Sequence, residues 1–538
     1  MLVRIALKQQ TVGLIALTLA VVLGGVLNTL AFVQIAGSTP AERAAFAQQM
    51  AILGAQLSYM LPAPIRIDTL SGYLEWRLFG FMVLVFGIWS AISASGSGRG
   101  DEERGLVEQW LAAGVGRARY LITRVAVFAA VATVAIGAMQ LAIMLSAGGE
   151  PLSAGELLAM GVNLLAATLC CYGIALVIAQ LVTTRRGAGG IAAGLLIALF
   201  LVNGAGRTAD IGPARWLSPF YLFERSRPLI DAGSLDIGAI SALFGAAVLL
   251  ITIGVVTFAR RDLGGTALPG TSRESRATRS PTRDVLLRLP VLGPLRQQRV
   301  WVAAWLVGFL ALSASLISIT RTIVDSLTSS EVPFMRAYFE RAGLSVYDSF
   351  VGVIWLSTAT LLLSIYAIVQ VASWSADDAE GRLATILSAP VSHGRVIVER
   401  LATLLVAVAL IAAASSVAVY VVAAGQGITL DGGRVALAAA LLLTIPFAFG
   451  SIGQFLAASR PRIAVVALSA VAVFSYFVQQ FVPLFGLPDW VANLSLYTLY
   501  GMPMSGEIRW GGVAGLIGVG AVATAASLVA LRRRDIGA

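Results

Sequence analysis

The chain has 538 residues, of which 58% are hydrophobic and only 12% charged. A soluble domain carries about 25% charged residues, so a water-soluble globular fold is excluded. The net charge of +10 would point to nucleic acid in a soluble protein. Here the basic residues sit between apolar runs of about 20 residues, each long enough to cross a bilayer core of about 30 Å, so membrane topology accounts for the charge and no nucleic-acid partner is expected.

In chain order, Arg4 and Lys8 precede an apolar run from Thr11 to Val33. The run is longer than a signal-peptide core and has no small-residue cleavage site after it, so it reads as a first spanning helix. Eleven more follow, with predicted cores at 79–98, 120–146, 157–183, 187–203, 237–259, 300–319, 349–374, 396–424, 435–457, 463–481 and 511–531. Cys170 and Cys171 are neighbours inside one of these runs, which supports neither a disulfide framework nor a metal site. The stretch from Arg260 to Arg299 is rich in Arg, Ser, Thr, Gly and Pro and reads as a flexible linker. The predicted organisation is a six-helix half over 1–260, a linker with an amphipathic elbow over 261–298, and a second six-helix half over 299–538. An even number of spans puts both termini on one side, and 26 of the 38 basic residues fall there, so both termini are expected in the cytoplasm.

The halves repeat. The stretch from Asp101 to Arg124 aligns without a gap on Asp377 to Arg400 at an offset of 276, with Asp101/Asp377, Gly105/Gly381, Leu111/Leu387, Arg119/Arg395 and Arg124/Arg400 identical. Lys8-Gln9-Gln10 matches Arg296-Gln297-Gln298, and Leu217-Ser218 matches Leu494-Ser495. The expected fold class is therefore an all-α polytopic membrane protein, with twelve spans arranged as two parallel six-helix repeats.

The repeated charged stretch lies between spans 2 and 3 of each half. Leu106, Val107, Trp110, Leu111 and Val115 fall on one helical face, and Leu383, Ile386 and Leu387 take the same places in the second copy. Asp101, Glu102, Glu103 and Glu108, and Asp377, Asp378 and Glu380, sit where a helix start favours negative charge, and Asp377 and Glu380 have capping-box spacing. Each copy is predicted to be a short amphipathic cytoplasmic helix, over about 101–116 and 377–390, stopped by Gly114 or Pro390. The positive-inside rule explains Arg119 and Arg395 but does not ask for the acids or for Gly105 and Gly381; a docking surface for a cytoplasmic partner does.

The acids, the glycine, the apolar turn and then Leu387-x-Ala389-Pro390-Val391-Ser392, Arg395 and Arg400 resemble the intracellular coupling helix of ABC-2-type exporter permeases. The first copy departs from the pattern at Gly114 and Gly116, and the second has Ala384 where the first keeps Glu108. The fused two-half layout is similar to the permeases of tetronasin and polyketide antibiotic exporters. The resemblance implies a bacterial plasma-membrane location, outward transport of lipophilic small molecules, and two copies of a separate ABC ATPase subunit that binds ATP and Mg, one per coupling helix. It also implies that spans 2 and 5 of each half line the substrate path, which offers Phe86, Trp89, Phe200, Asn203, Trp355, Tyr366, Phe474, Phe477 and Gln480.

A P-loop needs Gly-Lys-Ser/Thr, and the single lysine, Lys8, follows Leu7, so this chain is not expected to hydrolyse ATP or to hold a cofactor of its own. An ion-coupled transporter of six plus six spans is the rival class. Such machines use ionisable groups within the bilayer, and the predicted span midpoints carry none. An intramembrane enzyme would need a catalytic constellation, and the only histidine, His393, has no HExxH partner. A lipid cargo stays open beside a drug.

Overall fold

The computed structural model describes residues 2–56, 62–208, 212–267, 292–318, 320, 324, 347–379, 381–485 and 487–533. The chain divides into two compact units, residues 1–279 and 280–538. Among the described residues, twelve helices are long and apolar enough to cross a membrane, and the protein is an all-α polytopic membrane protein.

The first unit contains α1 (Leu2–Ala36), α2 (Pro40–Gln56), α3 (Leu70–Glu103), α4 (Leu106–Ala112), α5 (Arg117–Ser146), α6 (Ala154–Leu181), α7 (Arg185–Thr208), α8 (Pro219–Glu224) and α9 (Ile237–Arg260). The second contains α10 (Leu292–Gln297), α11 (Arg299–Ser318), α12 (Tyr347–Ala379), α13 (Arg382–Leu387), α14 (His393–Gly425), α15 (Gly432–Ser459), α16 (Pro461–Phe485), α17 (Asp489–Ala492) and α18 (Trp510–Arg533). A two-residue antiparallel pair, Gly501–Met502 with Glu507–Ile508, precedes α18. Local chemistry sets several starts. Asp236 accepts from the Ala239 N–H at 2.9 Å at the head of α9, and Asp431 from the Gly433 N–H at 2.8 Å at the head of α15.

Within the first unit α1 packs on α5, α6 on α9, and α3 on both α6 and α7; within the second, α11 packs on α14, α15 on α18, and α12 on both α15 and α16. The pairing of spans one with three, four with six, and two with four and five is thus the same in each. In lipid, apolar area gives little drive for helix association, so close approach at small residues matters more. At the α6–α9 contact a Cβ on Gly173 would stand 2.9 Å from Leu250 Cβ, and one on Gly254 would stand 2.9 Å from Leu176 Cγ. Each helix receives a leucine of the other over a glycine. Gly173→Leu is expected to cost about 1–3 kcal/mol through overpacking, read as a lower unfolding temperature in detergent; an unchanged temperature would show that the contact is loose. Toward the far end of each unit, Ser218 Oγ donates to the Leu199 carbonyl at 2.9 Å and Ser495 Oγ to the Ser475 carbonyl at 2.8 Å, which fixes the segment before the last span against span five. Those segments, 213–228 and 488–505, are not continuous helices. They are broken into a 3-10 turn plus α8, and α17 plus a short hairpin, because prolines recur at Pro213, Pro219, Pro228, Pro488 and Pro503.

The second span differs most from its expected length. At 34 residues α3 is about 50 Å long, against a bilayer core of about 30 Å, so both its ends extend past the hydrocarbon.

Candidate functional site

The overhang of α3 reassigns the repeated acids. Asp101, Glu102 and Glu103 form the last helical turn of span 2, and the short helix α4 begins only at Leu106. Asp377 likewise lies within α12, so it is not the N-cap of a short helix and there is no capping box. The cause is the glycine. Gly105 has φ +66° and Gly381 φ +71°, the left-handed region where a side chain costs roughly 1–2 kcal/mol. Each closes the long helix behind it: the Gly105 N–H donates to the Glu102 carbonyl at 2.8 Å, and the Gly381 N–H to the Asp378 carbonyl at 3.1 Å. The chain then turns into α4 or α13. Each copy is therefore a hairpin made of a span end, a glycine hinge, a helix of six or seven residues and the start of the next span. Gly114, at φ +80°, ends α4, with the Val115 N–H returning to the Trp110 carbonyl at 3.0 Å. In the second hairpin Ser392 caps α14 by accepting from the Arg395 N–H at 3.2 Å, whereas Gly116 offers α5 no side-chain cap.

The base of the first hairpin is a buried ionic network. Asp101, fully buried, takes Arg104 at 2.6 Å on one oxygen, and Arg124 at 2.6 Å and the Tyr120 hydroxyl at 2.7 Å on the other. Glu102, also buried, is held by Arg99 at 2.7 Å and Arg261 at 2.8 Å. Glu103 is exposed and accepts from the backbone N–H of Arg185 at 2.6 Å, at the first residue of α7, where a helix N-terminus favours negative charge. The backbone permits this crowding because residues 96–100 are wound as a π turn of glycine and serine around Arg99, and a Cβ at Gly98 would meet Gln180 and Ala179 at 3.0 and 3.1 Å. The second hairpin keeps the link between spans two and three in a looser form. Asp377 pairs with Arg382 at 2.9 Å and with Arg400 at 3.5 Å, and its side chain stays 24% exposed.

The short helices are anchored by one buried residue each, Val107 and Leu383, which stand at the same place in the repeat. Leu106, Trp110, Leu111 and Leu387 are half-buried; Ile386, expected on the inner face, is exposed. Glu108, Arg119, Gly381, Pro390 and Arg395 are exposed, and Asp378 is half-buried. Glu380 lies outside the described residues. Of the residues assigned to docking, Asp101 and Glu102 thus have no free carboxylate to offer, and the presented surface comes from α4, α13 and their turns.

Most of the aromatic residues proposed for a substrate path are packed within their own unit. Phe86 stacks edge-on against Trp89 at 6.1 Å, and Trp89 against Phe128 at 4.6 Å. Phe200 packs on Phe220 at 5.4 Å, and Asn203, fully buried, donates to Glu224 at 2.8 Å beside the Arg207–Glu224 ion pair. Trp355 donates to Ser415 Oγ at 2.7 Å, and Tyr366 lies against Trp305 at 5.5 Å. Only α16 presents a set toward its outside: Phe474 and Gln480 are exposed, Phe477 is half-buried, and Phe477, Phe481 and Phe485 form a ladder with ring spacings of 5.8 Å.

Sequence reading alone did not single out Arg99, Tyr120, Gln180, Arg185 and Arg261. The usable signal was Gly98-Arg99-Gly100 at a helix end, a charge flanked by residues that allow close backbone approach.

The twelve candidate spans among the described residues, with a glycine-hinged hairpin between spans two and three of each unit, define a multi-pass helical membrane protein. The chain belongs to the family described as the multidrug efflux system permease Rv1217c, C-terminal domain, whose model matches residues 3–259 and 287–532. It is by family a multidrug-efflux permease. No curated protein matches it.

Proposed function

We propose that the chain is the membrane subunit of an ATP-driven exporter of lipophilic small molecules, with ATP and Mg bound by two copies of a separate ABC ATPase subunit seated on α4 and α13. The observation that carries this reading is the pair of hairpins. Each projects a short helix with solvent-facing polar and apolar residues, at the end of a long span whose base is tied by an Asp–Arg pair to the next span. A short helix fixed to two spans can deliver a push from outside the membrane to both. The described spans carry their ionisable residues toward their ends, which supports the ATP-driven reading over an ion-coupled one. The shared span pairing and the paired Ser218 and Ser495 contacts support descent of the two halves from one duplicated unit. Charge asymmetry supports a cytoplasmic location for both hairpins and both termini, in a bacterial plasma membrane. The exposed aromatic face of α16 is the best-supported part of a substrate path, since flat rings with a few neutral polar groups suit a lipophilic ligand.

Purified in mild detergent and reconstituted alone, the chain is expected to hydrolyse no ATP. With its ATPase partner restored, it should move ethidium into inside-out vesicles when ATP is added and should ignore an imposed proton gradient. ATP hydrolysis by the chain alone at a transporter-like rate, or ethidium movement driven by the proton gradient without ATP, would overturn the reading.

A further inference from the structure

Within the second unit, the crossing of α11, α12 and α14 carries three buried polar groups. The Trp355 indole N–H donates to Ser415 Oγ at 2.7 Å, and Ser415 Oγ lies 2.8 Å from Ser313 Oγ. All three residues lie inside candidate spans, and Trp355 stands about 12 Å from the Tyr347 end of α12, away from the hairpin.

The crossing does not require these groups. In the first unit the same places hold Gly25, at the offset of 288 set by Gln9-Gln10 and Gln297-Gln298, and Phe79 and Met139, at the offset of 276. The contact itself is kept: a Cβ on Gly25 would stand 2.9 Å from Ile143 Cγ1 and 3.4 Å from Met139 Cγ, as Ser313 faces Ser415. One unit closes the crossing with glycine, methionine and isoleucine. The other sets an indole N–H and two hydroxyls there, and polar groups inside a membrane point to a use.

Counting protons shows what the trio leaves over. It holds three donor protons and makes two bonds. A helical serine commonly returns its hydroxyl to the carbonyl four residues back, as Ser416 does to Ala412 at 2.7 Å. Among the described residues neither Ser313 nor Ser415 does so. Ser415 Oγ accepts from the indole, and passing its own proton to Ser313 Oγ makes a chain in which each bond strengthens the next. The reverse order would strand the proton of Ser415, which is fully buried. The spare proton therefore belongs to Ser313. That residue lines a groove between α11 and α12, beside Phe309, Leu312, Leu316 and Leu362. The groove is too narrow for a water molecule, so solvent does not take up the proton. Its leucines are half-buried and are the side chains that would part for an occupant.

We propose that this groove is a binding site for a neutral lipophile with a carbonyl oxygen, which accepts the Ser313 O–H while Leu312, Leu316 and Leu362 hold the apolar body. The site gives the export reading above a substrate chemistry and rests on that reading for transport alone. Small ketones and amides offer such a carbonyl, and so do the ester groups of lipid.

The full chain in nanodiscs is irradiated with benzophenone, whose carbonyl is both acceptor and photoreactive group, and adducts are mapped by mass spectrometry. Adducts are expected on 309–316 and 355–362. Fluorenone should compete for them at a concentration about 3- to 10-fold lower than fluorene, which has the same rings without the oxygen; that factor is the worth of one hydrogen bond. Ser313→Ala should lower the adducts by a similar factor and leave those on α16 unchanged, and Ser313→Thr, which keeps the hydroxyl, should retain them. Equal competition by the two compounds, or adducts unchanged in Ser313→Ala, would overturn the proposal. The competition is read on the unmodified chain, so it decides even where the variants fail to accumulate. Repeating the labelling in diether lipid names the source. More adducts than in diester lipid mark a lipid ester as the resident occupant, equal adducts mark a small molecule, and both keep the site. No ATPase partner enters the experiment, so failure of the export reading would leave the site standing, and loss of the site would leave that reading intact.

Discussion

Asp101→Ala is expected to lower the stability of the protein by about 3–5 kcal/mol, whereas Asp377→Ala should lower it by about 1 kcal/mol or less. The residues occupy the same place in the repeat, so sequence gives no reason for the difference. Burial does. Asp101 has no exposed side-chain surface and answers Arg124, itself only 5% exposed, together with the Tyr120 hydroxyl. Removing the carboxylate leaves a guanidinium and a phenol without their partner in a site that water does not reach, and the desolvation penalty falls on the groups left behind. Asp377 is part-exposed and its longer contact to Arg400 leaves room for water to replace it. The measurement is the unfolding midpoint of each variant in the same detergent. Equal losses would mean that the first network is solvated in the membrane-embedded protein.

The second large effect is expected on transport, not on folding. Glu108→Arg combined with Ile386→Asp should cut ATP-driven ethidium movement at least tenfold while the unfolding midpoint stays within error. Both side chains are exposed on the short helices, where substitutions cost within about 0.5 kcal/mol of stability. An exposed isoleucine at 42% accessibility and an acid on the matching helix are suitable anchors for a docked partner, and losing one such anchor is worth about 1–2 kcal/mol, close to tenfold. Unchanged transport would move the docking surface away from α4 and α13.

The spans were legible because hydropathy over 20 residues is a strong signal, and all twelve stand where the apolar runs do. The hairpins were legible as repeated, charged and carrying a short helix each, but not in where that helix begins. Acids before an apolar turn look the same whether they open a short helix or close a long one. The choice was made by Gly105 and Gly381, whose left-handed backbone is invisible to periodicity. The ionic base was hidden for a different reason. Arg261 and Glu102 are far apart in sequence, and no local pattern marks a pairing made by tertiary packing. The aromatic residues assigned to a path shared a composition but not an environment: Phe86, Phe200, Trp355 and Tyr366 are filled into helix contacts, and of those assigned only Phe474 and Phe477, on α16, keep their rings toward the outside.

The bond from Glu103 to the head of α7 has a counterpart that explains two exchanges at once. At the offset of 276, Glu103 corresponds to Ala379 and Arg185 to Pro461. In the first half the leading N–H of the fifth span needs an acceptor and the end of the second span supplies it. In the second half the same position is proline, which opens a helix without any N–H to satisfy, and the acceptor has become alanine. Donor and acceptor are absent together in the second half. One unit meets the helix start with a tether between spans two and five, the other with a ring that needs none, so the same pair of helices is held differently in each.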